Sequence, residues 1–325
     1  MTTMRKQQGV ALITVLLVMA IIAVIATNLG TQLQRQVTRT ASFEQSEQSY
    51  WMWLSGEAVL KEVLQQEIER DDGIVHANQN WAQRAGPFPV EGGQIAAQVK
   101  DLRSCFNLNS LAGTEQQGLS LEKRRKQFQQ LLVSLELDAF QAESLAGALT
   151  DWLDSDSELS QSGAEDPDYE ALPHPYQTAN GLLFDVSELR MIKGFTAEVV
   201  QRIKPYVCAI PGNAELRINV NTLDEERAVL LVAVTQGKLT LDGAKQLVQA
   251  RPEQGYESRE ELLQDSLLTG AQDGETGSLD ELAVSSEYFL LQAYIQWGSL
   301  ETTARSVLHV TSGQARVVYR AMGED

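Results

Sequence analysis

Histidine, cysteine and cationic side chains are scarce in this 325-residue chain, and each shortage closes off a kind of chemistry. The three histidines, His76, His174 and His309, stand far apart and in no metal-ligand spacing, so an imidazole-based metal or acid–base centre is not indicated. Neither of the two cysteines, Cys105 in LRSCFNL and Cys208 in PYVCAIP, lies in a CxxC pair. There is no nucleophile elbow, phosphate loop or dinucleotide fingerprint, and no enzymatic role is expected. Lys and Arg number 26 against 44 Asp and Glu, a formal net charge of -18. A surface that acidic repels phosphate backbones, which argues against nucleic acid as a partner.

What is present begins at the N-terminus. Residues Gln8 to Ala26 read QGVALITVLLVMAIIAVIA, with Arg5 and Lys6 ahead of the run and no further charge until Arg35. Val10 to Leu29 just reaches the roughly 20 apolar residues that a bilayer core requires of a helix, so a membrane anchor is expected over residues 10–29. Counting cations on either side, Arg5 and Lys6 against Arg35 and Arg39, leaves the orientation undecided. The order of parts (polar leader, Gly9, apolar run) resembles the type IV prepilin leader, in which a dedicated peptidase cuts after the glycine. That resemblance implies removal of residues 1–9 and a new N-terminus at Val10. A secretory signal cut near Ala26 and an uncleaved anchor are the alternatives. From Thr31 to Arg70 there is no proline and one glycine, and Leu33, Val37, Ala41, Tyr50, Leu54 and Ala58 recur at helical spacing, followed a little out of phase by Leu64 and Ile68. One helix of some 80 to 90 Å is predicted, with a hinge near Asn28–Gly30 as the alternative.

Alternating apolar residues predict strands at Gln94–Arg103, Tyr288–Trp297, Thr302–Val310 and Ala315–Ala321. The last three, joined by short connections, form an antiparallel meander that the early strand completes. The fold class is therefore α+β: a long N-terminal helix packed on an antiparallel sheet, with a large all-α insertion over residues 111–281. Within the insertion, FNLNSL from Phe106 is echoed by INVNTL from Ile218, and Ser187-Glu188-Leu189 by the acidic-leucine phrase at Ser258–Leu262. Two related subdomains follow, residues 111–210 and 215–281, between a first part at 30–110 and terminal strands at 282–325. Phrases such as ELRMIKGF resemble helix-hairpin-helix or SAM-like units, in a protein-packing version given the acidity. Two cysteines beyond the anchor suit one disulfide in an oxidising compartment such as a periplasm, two buried thiols being the alternative.

The densest chemistry lies between Ala148 and Tyr169, ALTDWLDSDSELSQSGAEDPDY, which holds seven carboxylates and no Lys or Arg. Such a loop closes compactly when a cation neutralises it, and oxygen ligands without Cys or His select Ca²⁺ or Mg²⁺, with loop flexibility favouring Ca²⁺; a solvated acidic loop with no metal is the alternative. Asp154, Asp156, Glu158 and Glu165 fall at positions 1, 3, 5 and 12 of an EF-hand frame, but Leu159 replaces the glycine at position 6, so a calcium loop here is not an EF-hand.

Taken in order, QGVALITVLL, FNLNSL, DWLDSDSE with GAEDPDYE, INVNT and SSEYFLLQA resemble the K-class minor pseudopilins of bacterial type II secretion systems over nearly the whole chain. The resemblance implies an inner-membrane protein with its globular part in the periplasm, processed by prepilin peptidase and methylated at Val10. It further implies assembly with minor pseudopilins of the I, J and H classes, and a role capping and helping initiate the pseudopilus. It carries a calcium site onto Asp151, Asp154, Asp156, Glu165, Asp166 and Asp168. Thr14 stands at mature position five, where most pilin-like proteins have a glutamate; a tip subunit has no neighbour above to pair it, and an unpaired carboxylate in hydrocarbon costs several kcal/mol. The alternative is a membrane-anchored, calcium-dependent periplasmic binding protein with no filament role.

Overall fold

The computed structural model describes residues 8–112, 121–271, 279–311 and 314–323. Residues 1–7 of the expected leader, with Arg5 and Lys6, lie outside the described residues, as do Ser312 and Gly313 of the last predicted turn. A single helix, α1 (Gln8–Arg70), begins the described residues and runs through Asn28–Gly30 without a break. Its first part is long and apolar enough to cross a membrane, and every residue from Ala11 to Glu44 is exposed. Packing starts at Ser49 and continues through Trp53, Glu57, Leu60, Leu64 and Glu67 at three- and four-residue spacing.

This buried face is one position off the stripe that Tyr50, Leu54 and Ala58 predicted. Half of its residues are polar, so hydropathy alone misses the phase. Each polar member is satisfied: Ser49 donates to the Gln45 carbonyl, Glu57 accepts from Arg320 and Ser306, and Glu67 accepts from Asn80 and the Trp81 N–H. Trp53 and Trp81 are core residues, whereas Trp51 is 58% exposed.

Strands β1 (Ala85–Val90) and β2 (Gly93–Asp101) pair antiparallel about the Glu91–Gly92 turn. β1 is absent from the sequence prediction because AGPFPV carries two prolines. It is tolerated as the sheet's edge, where a missing N–H costs no ladder bond.

The insertion opens with β3 (Phe106–Asn107) and a 3₁₀ turn, then α2 (Leu121–Ser134), α3 (Ala139–Leu153), α4 (Asp166–Glu170), α5 (Ala197–Ile203) and β4 (Val207–Cys208), parallel to β3. A second round follows: β5 (Ile218–Asn219), a 3₁₀ turn, α6 (Val229–Val234), α7 (Leu241–Ala250), α8 (Arg259–Leu263), α9 (Ser266–Thr269) and β6 (Leu282–Ala283), parallel to β5. The two rounds match bond for bond at their asparagines. Asn109 donates to the Leu183 and Ile210 carbonyls and accepts from the Leu183 N–H; Asn221 donates to Tyr256 and Val284 and accepts from Tyr256. Both rounds share one core, in which Phe106, Phe128 and Leu149 meet Ile218, Leu231 and Leu247. Cys105 and Cys208 form a disulfide, Cα–Cα 5.8 Å.

Strands β7 (Tyr288–Trp297), β8 (Leu300–Thr311) and β9 (Gln314–Met322) then complete an antiparallel sheet of order β1-β2-β7-β8-β9. The insertion thus leaves from and returns to neighbouring strands, and the α+β class with an inserted helical domain is the observed one. α1 covers one sheet face through Phe289, Leu291, Ile295 and Leu308. On the other face Lys100, Leu290, Val307 and Tyr319 stand in one cross-strand row. Asp101, buried at the end of β2, accepts from Ser286, Thr222, Asn219 and the Arg103 N–H, fastening sheet to insertion.

Candidate metal centre

The acidic loop is the connection between α3 and the turn at Leu183. α3 starts on an Asp138 cap that accepts from the Phe140 and Gln141 N–H groups, and it ends at Asp154. In its last turn the fully buried Asp151 accepts from the Ser160 and Ala164 N–H groups, which folds the loop back along the helix. Two glycines permit the approach. A β-carbon on Gly147 would meet the Gln161 carbonyl, and one on Gly163 would run into the Asp151 carboxylate. Glu165 then caps α4, its Oε2 accepting from the Asp166 N–H while Asp168 accepts from the Glu165 N–H.

This path brings one carboxylate oxygen from each of Asp154, Asp156 and Glu165 within 4.8 Å of one another. Two oxygens of the trio, Asp154 Oδ1 and Glu165 Oε1, are buried without a hydrogen-bond partner among the described residues. Orphaned buried carboxylate oxygens are costly unless a cation meets them. Burial, then the charges of Asp156, Asp151 and Glu165, push Asp154 up to about 7. Burial also raises Asp151 and Glu165. An all-oxygen trio of this kind fits a hard divalent cation.

The other predicted residues are placed differently. Asp151 shapes the loop, with both oxygens turned to backbone N–H groups. Asp166 accepts from the Thr178 N–H and hydroxyl, bonds that hold it below the usual carboxylate range. Asp168 pairs with Lys193 at 2.7 Å and is likewise held low. Glu158 is exposed, its N–H donating to Asp156. The loop-shaping roles of Gly147 and Gly163 escape sequence reasoning; the small-residue run SQSGA is the one signal of a tight return.

Among the described residues the second round has no such loop at the matching place. Where α3 ends at Asp154, α7 ends at Arg251, and its connection to Tyr256 spans only residues 251–256. Arg251 donates to the Val220 and Leu223 carbonyls at 2.6 and 2.8 Å, so a side-chain cation stands at the helix end.

Two family models, both described as type II secretion system protein K, match residues 104–212 and 218–285, dividing between the two rounds. The chain is 40% identical over 269 residues to type II secretion system protein K of Aeromonas hydrophila, covering 81% of each chain. It is 37% identical to the protein of the same name from Pectobacterium carotovorum subsp. carotovorum, over 98% of this chain and 97% of that one. Among solved structures it resembles a chain of the GspK-GspI-GspJ complex of the enterotoxigenic Escherichia coli type 2 secretion system, with TM-score 0.79 and 33% identity over 88% of this chain and 100% of that one. With the long helix, the five-stranded sheet and the doubled insertion, these likenesses settle the matter of descent: the chain belongs to the type II secretion system protein K family of minor pseudopilins.

Proposed function

We propose that this protein caps the periplasmic pseudopilus of a type II secretion system and helps initiate it, as an assembly component without catalysis. The Val10–Leu29 span anchors the precursor in the inner membrane with the globular part in the periplasm, and prepilin peptidase removes residues 1–9 so that Val10 becomes the methylated N-terminus. Minor pseudopilins of the I, J and H classes are its partners; the structural relative's complex with GspI and GspJ supports the first two.

The observation that carries the reading is Thr14. Its hydroxyl donates to the Ala11 carbonyl at 2.9 Å, so the span needs no partner from a subunit above. The doubled insertion adds bulk beside the sheet that would block addition of a further subunit. Ca²⁺ would be held by Asp154, Asp156 and Glu165 in a loop positioned by Asp151, Asp166 and Asp168. Its contribution is charge neutralisation that lets the loop close against α3.

The test pairs processing with assembly. The intact mass of protein from membranes should begin at Val10 only when the peptidase is present, and Thr14→Glu should impair pseudopilus initiation. A chain starting at Met1 or Thr27 would contradict the processing. A Thr14→Glu variant that initiates normally would contradict the tip role and favour the anchored binding protein.

A further inference from the structure

A cleft of about 470 Å³ separates the sheet face opposite α1 from the first round of the insertion. Its charge runs against that of the protein. In a chain of net charge -18, five cations line it: Lys100 and Arg305 from the sheet, and Arg190, Lys204 and Arg227 from the insertion. Only two lining residues are carboxylates, and both are engaged, Asp185 with one of the five cations itself. Asp101 is buried under four donors, and Asp185 pairs with Arg305 at 3.0 Å. Arg227 is held in place by the Pro205 carbonyl and Ser104, with the exposed Asp224 3.7 Å away, and Arg190 is exposed and makes no ion pair among the described residues. The floor is apolar, formed by Leu290, Val307, Val207 and the Cys105–Cys208 bridge, and Phe184 stands at the rim 61% exposed.

We infer that this cleft is a docking site for an extended acidic peptide segment of another protein, one that alternates carboxylate and apolar side chains. Cations on the walls meet the carboxylates, while the floor and Phe184 take the apolar side chains. Three other occupants fit less well. A second copy of this chain and a nucleic acid both bring dense negative charge to a protein whose own net charge is -18. A lipid headgroup is out of reach. The cleft lies level with Ser306, which bonds Trp53, and Trp53 is 24 residues beyond Leu29, or roughly 36 Å along α1. The inference is independent of the tip reading and of the calcium loop.

The experiment is fluorescence anisotropy of a fluorescein-labelled (Glu-Leu)₄ peptide titrated with the full chain in non-ionic micelles. Saturable binding is expected, weakening as salt rises from about 0.05 to 0.3 M. The Arg190→Glu/Gln201→Glu variant changes two exposed side chains, so an unchanged melting temperature is expected together with binding about ten-fold weaker; Phe184→Ala should weaken binding several-fold. Inorganic phosphate should compete only at far higher concentration. Absence of saturable binding, equal binding by the charge-reversed variant, or phosphate competing as well as the peptide would each overturn the inference, the last marking a small-anion site.

Discussion

Gly163 passes so close to Asp151 that a β-carbon added to it would occupy the position of the carboxylate. The acidic loop is therefore fixed to α3 by a hydrogen-bonded carboxylate on one side and by a missing side chain on the other. Gly163→Ala should cost about 1–3 kcal/mol, the usual range for overpacking a filled site, and should lower the melting temperature. An unchanged melt would show that the loop does not rest on this contact.

The candidate ligands of the proposed calcium site divide sharply by partner. Asp154→Asn and Glu165→Gln alter carboxylates that each hold one buried oxygen without a partner among the described residues, whereas Asp166 and Asp168 are already engaged by Thr178 and Lys193. Calorimetric titration with Ca²⁺ should show heat abolished in the first two variants and retained, with affinity reduced by no more than about ten-fold, in Asp166→Asn and Asp168→Asn. Equal losses in all four would disprove the division.

Metal-free stability should carry the mark of Asp154. Its folded pKa, pushed up to about 7, lies above the ordinary unfolded value of about 3.9. The folded state thus holds a proton that the unfolded chain has released, and this group's contribution to stability declines as pH rises from about 4 to about 7. His76 and His309, held low by burial, act in the opposite sense below their usual value, so the measurement is a difference. In chelator, wild type minus Asp154→Asn should lose melting temperature between pH 5 and pH 7. A difference that grows through that window would refute the assignment.

Cys105 and Cys208 are 103 residues apart, and their bond closes most of the first round into a loop. Cys208→Ser should destabilise the protein by roughly 2–5 kcal/mol. Denaturant unfolding of the variant, beside wild type with and without reductant, reads the loss directly; coincident curves would mean that the rest of the core suffices.

Much of this architecture is legible in the chain. The long helix, four of the five strands and the doubling marked by FNLNSL and INVNTL announce themselves through periodicity and repetition. The phase of α1 does not, because its buried polar residues are satisfied by partners that hydropathy does not register: Ser49 by the Gln45 carbonyl one turn back, Glu57 by Ser306 and Arg320, and Glu67 by Asn80 and Trp81. β1 is hidden by Pro87 and Pro89, whose cost vanishes only at a sheet edge. In the acidic loop, composition pointed to all seven carboxylates alike. The convergence of Asp154, Asp156 and Glu165, and the diversion of Asp166 and Asp168, depend on where Thr178 and Lys193 return, and spacing does not encode that.

From Ala11 to Glu44 no other part of the described residues touches the flank of α1 closely enough to bury it, and from Ser49 onward the same helix is gripped by the sheet. Mechanically that is a rod clamped at one end, with no joint where the clamp begins. A tilt of about 10° at the membrane would carry the level of Trp53, roughly 36 Å along the rod, sideways by about 6 Å. A rotation about the rod's axis would reach the head at full angle. Motion imposed on the anchor is thus delivered to the acidic loop and the cationic cleft as displacement of a single body.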